Sequence, residues 1–475
     1  MTDVKKETPF DSWVMFRDAQ GGEIRATAQR FNRHLVVFDH STLDSVLRVS
    51  EALKDFQIFY NGTLIYEGRA IIRSLINAGP TTVCEAKLED GWIDLQALAG
   101  INSAGLIQRY QDFFAVHKKL HQLSPDYTVA VAGLQNYLTD VRMWLDHVAL
   151  GLKSSNGRAR ADLEREAAWQ IREPIVRTIF ELFDRFEEAT RHVPEELIPA
   201  YYAYAQRQVR PLLLDAPFVF RTFRKPLGYA GDYKMVAMMF GEPCDGPSIF
   251  ARVLNCYSLS LPPIVAHRNR IDYLAQNLEQ EVLRVARSRR RARIYNLGCG
   301  PAREIQKLAA QSAVMNEADF TLVDFNQETL AHAQQELERV SSVHAPRMGL
   351  GFIRKSVQQV LKESTRIDSS GELGYYDVVY CAGLFDYLSA NVCRHLVDVF
   401  WRMVAPGGLL MVTNVDHHPS KGQMECFLDW NLIYRDSASM KVLAPDGVPA
   451  EEVVLRRDPT GVNIFMELRK PEHAE

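Results

Sequence analysis

The stretch Tyr295-Asn-Leu-Gly-Cys-Gly-Pro-Ala-Arg-Glu-Ile305 constrains the fold more than any other part of the chain. A short apolar run, Ile294 to Leu297, ends in Gly298-Cys299-Gly300 and passes into a helical pattern through Glu304, Ile305, Leu308 and Ala309. The order is strand, tight turn, helix. Glycines in such a turn let the backbone pass close to a ligand. A second apolar run, Phe320 to Val323, ends in Asp324, 24 residues after Gly300, the distance at which an acidic side chain receives two ribose hydroxyls. This pattern describes an adenosine-type cofactor lying across the carboxyl ends of adjacent parallel strands.

A dinucleotide site wants a third glycine where this chain has Arg303, whose side chain would obstruct the close helix–strand approach that a pyrophosphate needs. S-adenosylmethionine has no pyrophosphate. The stretch resembles class I S-adenosylmethionine-dependent methyltransferases, with Ala302 where many members carry another glycine. The resemblance implies S-adenosylmethionine as cofactor, with Gly298 and Gly300 facing its methionine portion and Asp324 on the ribose hydroxyls. It also implies Phe325 against adenine, and Ser356 and Val357 at the adenine amino group and ring edge. Asn296, Cys299 and Gly383 complete the cofactor set.

The downstream order agrees. A helical pattern, Gln327 to Val340, leads to a strand near Gly351–Arg354, and Tyr376-Asp-Val-Val-Tyr-Cys-Ala-Gly383 reads as a fully apolar fourth strand. A helix from Val392 to Val404 is expected to stop at Ala405-Pro-Gly-Gly408, with a fifth strand over Leu409–Thr413. Val453–Arg457 and Val462–Leu468 flank Asp458-Pro-Thr-Gly461, a hairpin signal. The predicted fold class is α/β: a C-terminal seven-stranded Rossmann-like methyltransferase sheet, closed by an antiparallel hairpin, after a helical region and a small N-terminal antiparallel β-barrel.

At 475 residues the chain is too long for one core. Charged residues make up 24% and the net charge is −4, so nothing global calls for nucleic acid or an anionic membrane. The dense basic run, Arg284 to Arg293, ends an apparent helix, Arg270 to Ala286, where cations suit the dipole, and no RNA-binding motif accompanies it. No apolar run approaches the roughly 18 residues of a membrane span, and no signal peptide is seen, so a cytoplasmic location is expected. The seven cysteines (84, 244, 256, 299, 381, 393, 426) form no Cys-x-x-Cys pair and no His/Cys cluster. They read as buried free thiols, and no metal is expected.

The first hundred residues carry short runs rich in branched and aromatic residues: Trp13–Arg17, Glu23–Ala28, His34–Phe38, Phe56–Tyr60, Leu64–Ile72 and Thr82–Leu88. Turn signals fall at Gly21-Gly22, Asn61-Gly62 and Asp90-Gly91, which favours a small antiparallel barrel. The region resembles a PilZ domain, a module that often binds cyclic di-GMP. Asp39-His-Ser41 matches part of that family's Asp/Asn-x-Ser-x-x-Gly pattern, but Asp44 replaces the glycine, and Arg25, Arg30 and Arg33 lie too close before it. Cyclic di-GMP binding is therefore not expected. Helical spacing follows over Leu106–Leu120, Tyr127–Leu152, Ala159–Thr190 and Pro194–Leu213, broken at Ser154-Ser-Asn-Gly157, and Pro174 is expected to kink or restart the third helix. Phe180, Phe183 and Phe186 share one helical face and read as core packing. The predicted domains are a PilZ-like barrel over 1–100, a helical spacer or lid region over 101–240 and the methyltransferase domain over 241–475.

Phe220-Arg-Thr-Phe-Arg-Lys-Pro-Leu-Gly-Tyr-Ala-Gly-Asp-Tyr233 gathers tyrosines, glycines and cations in a span that one helix cannot hold. With Asp429-Trp-Asn-Leu-Ile-Tyr-Arg435 and Thr460-Gly-Val-Asn463, it resembles a bacterial methyltransferase family described as extracellular-factor 3-hydroxypalmitic acid methyl ester biosynthesis proteins. That likeness implies a small-molecule acceptor bearing a carboxylate, such as a fatty or hydroxy-fatty acid. A carboxylate acceptor needs no general base, whereas a hydroxyl or amine needs a route for its proton. The catalytic candidates are Asp386 and Tyr387 after the fourth strand, Asn414, Asp416, His417 and His418 after the fifth, and Tyr229 and Tyr233 in a lid. Arg224, Lys225 and His267 are candidates to hold an acidic acceptor. A methyltransferase of a protein, amine or phenolic hydroxyl stays open, as do a scaffold that binds the cofactor without turnover, and a homo-oligomer.

Overall fold

The computed structural model describes residues 12–17, 21–31, 34–41, 46–60, 62–78, 81–89, 123–152, 157–345, 347–364 and 374–472. The expected helix over Leu106–Leu120, the turn at Asp90-Gly91, and Arg33, Asp44, Asn61 and Ser154–Asn156 lie outside those residues. Two compact units divide the chain: residues 1–124, 194–203 and 225–230 form one, and residues 125–193, 204–224 and 231–475 the other.

In the first unit, β1 (Ser12–Arg17), β2 (Glu23–Phe31), β3 (Leu35–Ser41), β4 (Ala52–Tyr60), β5 (Thr63–Ala78) and β6 (Thr81–Leu88) close a barrel in the order β1-β2-β3-β6-β5-β4. Antiparallel pairing of β1 with both β2 and β4 closes the ring and removes the free edges. Alternation sets the core: Ile24, Ala26 and Ala28 point inward while Glu23, Arg25 and Thr27 face solvent. Val14, Phe16, Phe38, Phe56, Ile58 and Ile72 fill the interior. All six expected strands are present, most of them longer than their apolar runs.

The second unit begins with α1 (Pro125–Gly151) and α2 (Gly157–Arg191). Of the two outcomes expected at Pro174, a kink or a restart, the restart does not occur: α2 runs through it as one helix. Loss of one helical hydrogen bond costs about 3 kcal/mol, and burial of Ile175, Ile179, Phe183 and Phe186 at about 1.5–3 kcal/mol each outweighs it. A 3₁₀ turn and α3 (Ile198–Leu213), which span the boundary between the two units, lead to α4 (Pro217–Arg224), α5 (Tyr233–Met239), α6 (Ile249–Leu259) and α7 (Pro262–Ala286). The aromatic stripe of α2 is core, with Phe183 stacked on Tyr257 of α6 at 5.3 Å between ring centroids.

The sheet follows: β7 (Ala292–Leu297), α8 (Arg303–Gln311), β8 (Ala318–Asp324), α9 (Gln327–His344), β9 (Gly349–Arg354), α10 (Val357–Glu363), β10 (Tyr376–Cys381), α11 (Ala390–Met403), β11 (Val404–Val415), α12 (Lys421–Leu428), α13 (Ser437–Lys441), β12 (Val454–Arg457) and β13 (Asn463–Arg469). Its order is β12-β13-β11-β10-β7-β8-β9, parallel from β11 to β9 and antiparallel at β13 and β12. Strand order reverses between β7 and β10, the place where open α/β sheets bind ligands at the carboxyl ends of their strands. The fifth strand starts earlier than expected, at Val404. The helix before it ends at Met403, as expected, and between Tyr376↔Val404 and Val378↔Leu409 β11 advances further than β10, so Ala405-Pro-Gly-Gly408 also bulges out of the ladder. In the hairpin, Asp458 receives the N–H groups of Asn463 and Thr460 on its carboxylate.

The basic run is largely a set of staples: Arg290 grips Asp377 with two hydrogen bonds, and Arg291 serves Asp319 and the carbonyls of Asn316, Ala318 and Arg347. One expectation fails outright. Cys244 and Cys256 are joined in a disulfide, because the loop after α5 folds back on α6 and brings the two together. Cys84, Cys299, Cys381, Cys393 and Cys426 are buried free thiols, as expected. Among the described residues no single helix is long and apolar enough to cross a membrane.

Candidate active site

The turn after β7 is held to β8 by its own backbone. Gly298 and Cys299 both donate N–H bonds to the Val323 carbonyl, at 2.8 and 3.1 Å. Gly298 (φ 70°), Gly300 (φ 52°) and Ala302 (φ 51°) are all left-handed, which explains two of the three small residues directly and makes Ala302 a strained substitute for glycine. The Asp324 carboxylate receives the N–H groups of Gly300 (3.2 Å) and Asn326 (2.9 Å), so it sits at the turn with its charge locally compensated. A Cβ built on Gly300 would meet nothing within 4 Å, whereas one on Gly298 would press Leu384 at 3.3 Å. The turn is therefore open at Gly300 and walled at Gly298 by the exit of β10.

Polar groups lie under this opening. Tyr380 donates its hydroxyl hydrogen to Glu304 (2.7 Å), and Asn296 donates its amide to the same carboxylate at 3.4 Å. Burial raises the Glu304 carboxyl and pushes Tyr380 well above the usual phenol range. Asn296 Oδ1 is buried with no hydrogen-bond partner among the described residues, an acceptor awaiting a donor beside the turn. An orphaned acceptor, an acidic residue on the turn and open space over Gly300 fit the amino-acid and ribose ends of S-adenosylmethionine. Cys299 contributes backbone; its thiol is buried and held well above the ordinary range by desolvation. On the other side of Asp324, Phe325 is half-buried, and Ser356 starts α10 with a capping box shared with Gln359. That box uses the Ser356 hydroxyl, and Val357 beside it is buried.

At the exits of β10 and β11 the loops are strapped together. Arg435, 4% exposed, donates to the carbonyls of Phe385 (2.7 Å) and Leu388 (2.6 Å) and to Asn414 Oδ1 (2.6 Å). Asn414 in turn donates to the Val415 and Ile433 carbonyls, and Ile433 N–H donates to the Asp386 carbonyl. Asp386 is thereby fixed, with Oδ1 accepting the Val415 N–H at 2.7 Å. Burial raises its carboxyl to about 6, against the opposing pull of Arg270, the Val415 N–H and Arg435. The next residue, Tyr387, accepts a hydrogen bond from Trp430 Nε1 at 3.0 Å. His267 is half-buried beside Arg270, whose Nη2 lies 2.8 Å from Nδ1. Burial and then the charges of Arg270 and Arg268 push its imidazole well below the ordinary value.

The histidine pair after β11 separates. His417 is exposed and stacked on Tyr434, whereas His418 is buried, with its imidazole lowered to about 4 mainly by desolvation. Asp416 is paired with Arg457 at 2.7 Å. The Arg224–Tyr233 segment also divides. Lys225–Ala230 group with the barrel unit, where Ala52 N–H donates to the Gly228 carbonyl and Arg48 lies over the Tyr229 ring at 5.8 Å. Arg224 is exposed in the last turn of α4. Gly231 and Tyr233 belong to the second unit. A Cβ on Gly231 would come within 3.0 Å of the Tyr387 hydroxyl, and Tyr233 donates to Glu328 (2.6 Å) while its ring lies 4.6 Å from His332. Asp232 begins α5 by accepting the Met235 N–H.

The structure thus gathers Asn296, Gly298, Gly300 and Asp324 at one turn, with Gly383, Asp386, Tyr387 and Tyr233 around it. It adds Glu304, Tyr380 and Arg270, which have no role in the sequence reading, and gives a place to Trp430 and Arg435 of the Asp429–Arg435 motif. Glu304 and Arg270 looked like ordinary helix residues, and only the tertiary fold reveals their burial.

Residues 295–410 match the family model described as a methyltransferase domain. None of the curated proteins compared with the chain matches it. Among solved structures, a "possible exported protein" from Bordetella parapertussis is 17% identical, with a TM-score of 0.40, covering 59% of this chain and 98% of its own. The magnesium protoporphyrin IX methyltransferase of Synechocystis PCC 6803 with bound S-adenosylhomocysteine is 12% identical, with a TM-score of 0.34 over 57% of this chain and 99% of its own. An O-methyltransferase family protein from Burkholderia thailandensis is 14% identical, with a TM-score of 0.30 over 44% and 60%. The family match, the strand order and the glycine turn with its acidic partner define a class I methyltransferase domain. The chain is an S-adenosylmethionine-dependent methyltransferase.

Proposed function

We propose that the chain methylates a carboxylate on a small molecule, a fatty or hydroxy-fatty acid being the leading class. When bound, S-adenosylmethionine supplies an electrophilic methyl group on a sulfonium. The residues around the turn then have two tasks, holding the acceptor in line and excluding water, and positioning alone supplies much of the rate. The observation that carries the reading is the state of the imidazoles near the β10 and β11 exits. His267 is half-buried against Arg270, His418 is buried, both with lowered basicity, and His417 is exposed and stacked. The lowered basicity of His267 and His418 makes them weak proton acceptors, and a carboxylate acceptor asks for none.

In this reading Asp324, Gly300 and Asn296 bind the cofactor. Tyr387, Trp430 and Leu384 wall the acceptor side, and Gly231 with Tyr233 covers it. The N-terminal barrel is an accessory with a PilZ-like strand arrangement. One observation favours a second reading, a hydroxyl or amine acceptor: Asp386 titrates near 6 and would be an available base at neutral pH. Purified chain incubated with methyl-labelled cofactor and a panel of fatty acids, hydroxy-fatty acids, phenols and amines tests both. Base-labile label on a fatty acid, with stoichiometric S-adenosylhomocysteine, is the expected result. Base-stable label confined to phenols or amines would transfer the assignment to the second reading.

A further inference from the structure

Arg270 projects from α7 and is among the most buried arginines described, at 7% exposure, yet its guanidinium is poorly served. Its Nη2 contacts the His267 ring, Nη1 faces Asp386 Oδ2 at 3.9 Å, beyond hydrogen-bond range, and Nε is buried with no partner among the described residues. The contrast with Arg435 is direct. That side chain, buried to a similar degree and strapping the loops that Arg270 faces, has three acceptors within 2.7 Å. Buried donors in native proteins are satisfied, so a guanidinium left open points to an acceptor that arrives from outside the chain.

Its position narrows the choice. A Cβ on Gly383 (φ 83°) would come within 2.7 Å of Arg270 Nη2, so the guanidinium lies directly on the backbone leaving β10. The following residue, Leu384, is the one that abuts Gly298 at the cofactor turn. Arg270 thus lies on the β10 exit, one residue before the side chain that abuts the cofactor turn. Asp386 already balances its charge loosely, so what is missing is geometry: planar oxygens at hydrogen-bond distance. A carboxylate supplies those in pairs.

We propose that Arg270 is a carboxylate-binding residue, engaging either the cofactor's amino-acid carboxylate or that of the acceptor. The inference rests on the methyltransferase assignment and, in its acceptor arm alone, on the carboxylate reading above. Calorimetry on the full chain separates the sources, using wild type, Arg270→Gln and Arg270→Lys. If the cofactor carboxylate is the partner, Arg270→Gln weakens S-adenosylhomocysteine at least tenfold and leaves 5′-methylthioadenosine, which lacks that carboxylate, within twofold. If the acceptor is the partner, both nucleosides bind unchanged, and 3-hydroxypalmitate binds the S-adenosylhomocysteine-loaded variant at least tenfold more weakly than loaded wild type. Should Arg270→Gln fail to fold, the Nε–H signal of Arg270 in wild-type chain labelled with ¹⁵N-arginine, identified by its loss in Arg270→Lys, is followed on addition of each ligand. Affinities independent of residue 270, or a signal that moves with neither carboxylate ligand, overturn the proposal. Loss of S-adenosylhomocysteine binding in Asp324→Ala with no effect at Arg270 would leave the methyltransferase assignment standing and this one not.

Discussion

Asp324 illustrates what one side chain does before any ligand arrives. By accepting the Gly300 and Asn326 N–H groups it fixes the turn and the start of α9. Asp324→Ala is expected to weaken S-adenosylmethionine by about 1.5–3 kcal/mol, the scale of hydrogen bonds to a charged group, read by calorimetry on a variant shown to be folded. Unchanged affinity would remove Asp324 from the site. The residue scale is also where the sequence was least legible. Gly298, Gly300 and Asp324 were readable because their spacing encodes a backbone geometry. Glu304, Arg270 and Arg435 were not, because a charged residue on a helix or in a loop looks the same whether buried or solvated. The Cys244–Cys256 disulfide was hidden for a related reason: nothing in a twelve-residue separation says that a loop folds back.

Elements were more legible because hydrophobic period survives into structure. The seven strands of the sheet appeared in order, and the 458–461 turn was readable from Asp-Pro-Thr-Gly alone. Differences fell where tertiary packing overrode a local signal: α2 does not restart at Pro174, and β11 begins at Val404, before its Pro-Gly-Gly bulge. Between elements, Glu187 on α2 accepts the Gly422 and Gln423 N–H groups at the start of α12. Burial dominates its titration and raises it to about 7. With a folded value above the unfolded one, its stabilising contribution is complete below about pH 4.5 and is lost as pH rises through 7, by up to about 3 kcal/mol. Wild type should therefore lose stability relative to Glu187→Gln between pH 4.5 and 7.5 in urea melts, and a difference constant with pH would show that Glu187 is not desolvated. The lid reading gives a second test. Tyr233→Phe removes one hydroxyl–carboxylate bond to half-exposed Glu328 and is expected to speed S-adenosylhomocysteine release several-fold in stopped flow, with thermal stability reduced by about 1 kcal/mol or less. Equal losses in both measurements would mark Tyr233 as packing.

For the whole molecule, the barrel was legible from six alternating runs and two glycine turns, and its expected lack of a cyclic di-GMP site follows from the incomplete arginine and Asp-x-Ser pattern. Titration of the full chain with cyclic di-GMP to tens of micromolar should give no saturable heat, and stoichiometric binding would overturn that expectation. Residues 194–203 and 225–230 belong to the barrel's unit although the catalytic unit surrounds them in sequence. Three stretches of one unit alternate with three of the other, so no single cut separates them. Such a chain is woven, not strung. A gene rearrangement that deleted the first 124 residues would strand two internal segments without their folding partners, so the barrel cannot be gained, lost or exchanged as a cassette. Any signal it came to sense would be inherited together with the enzyme.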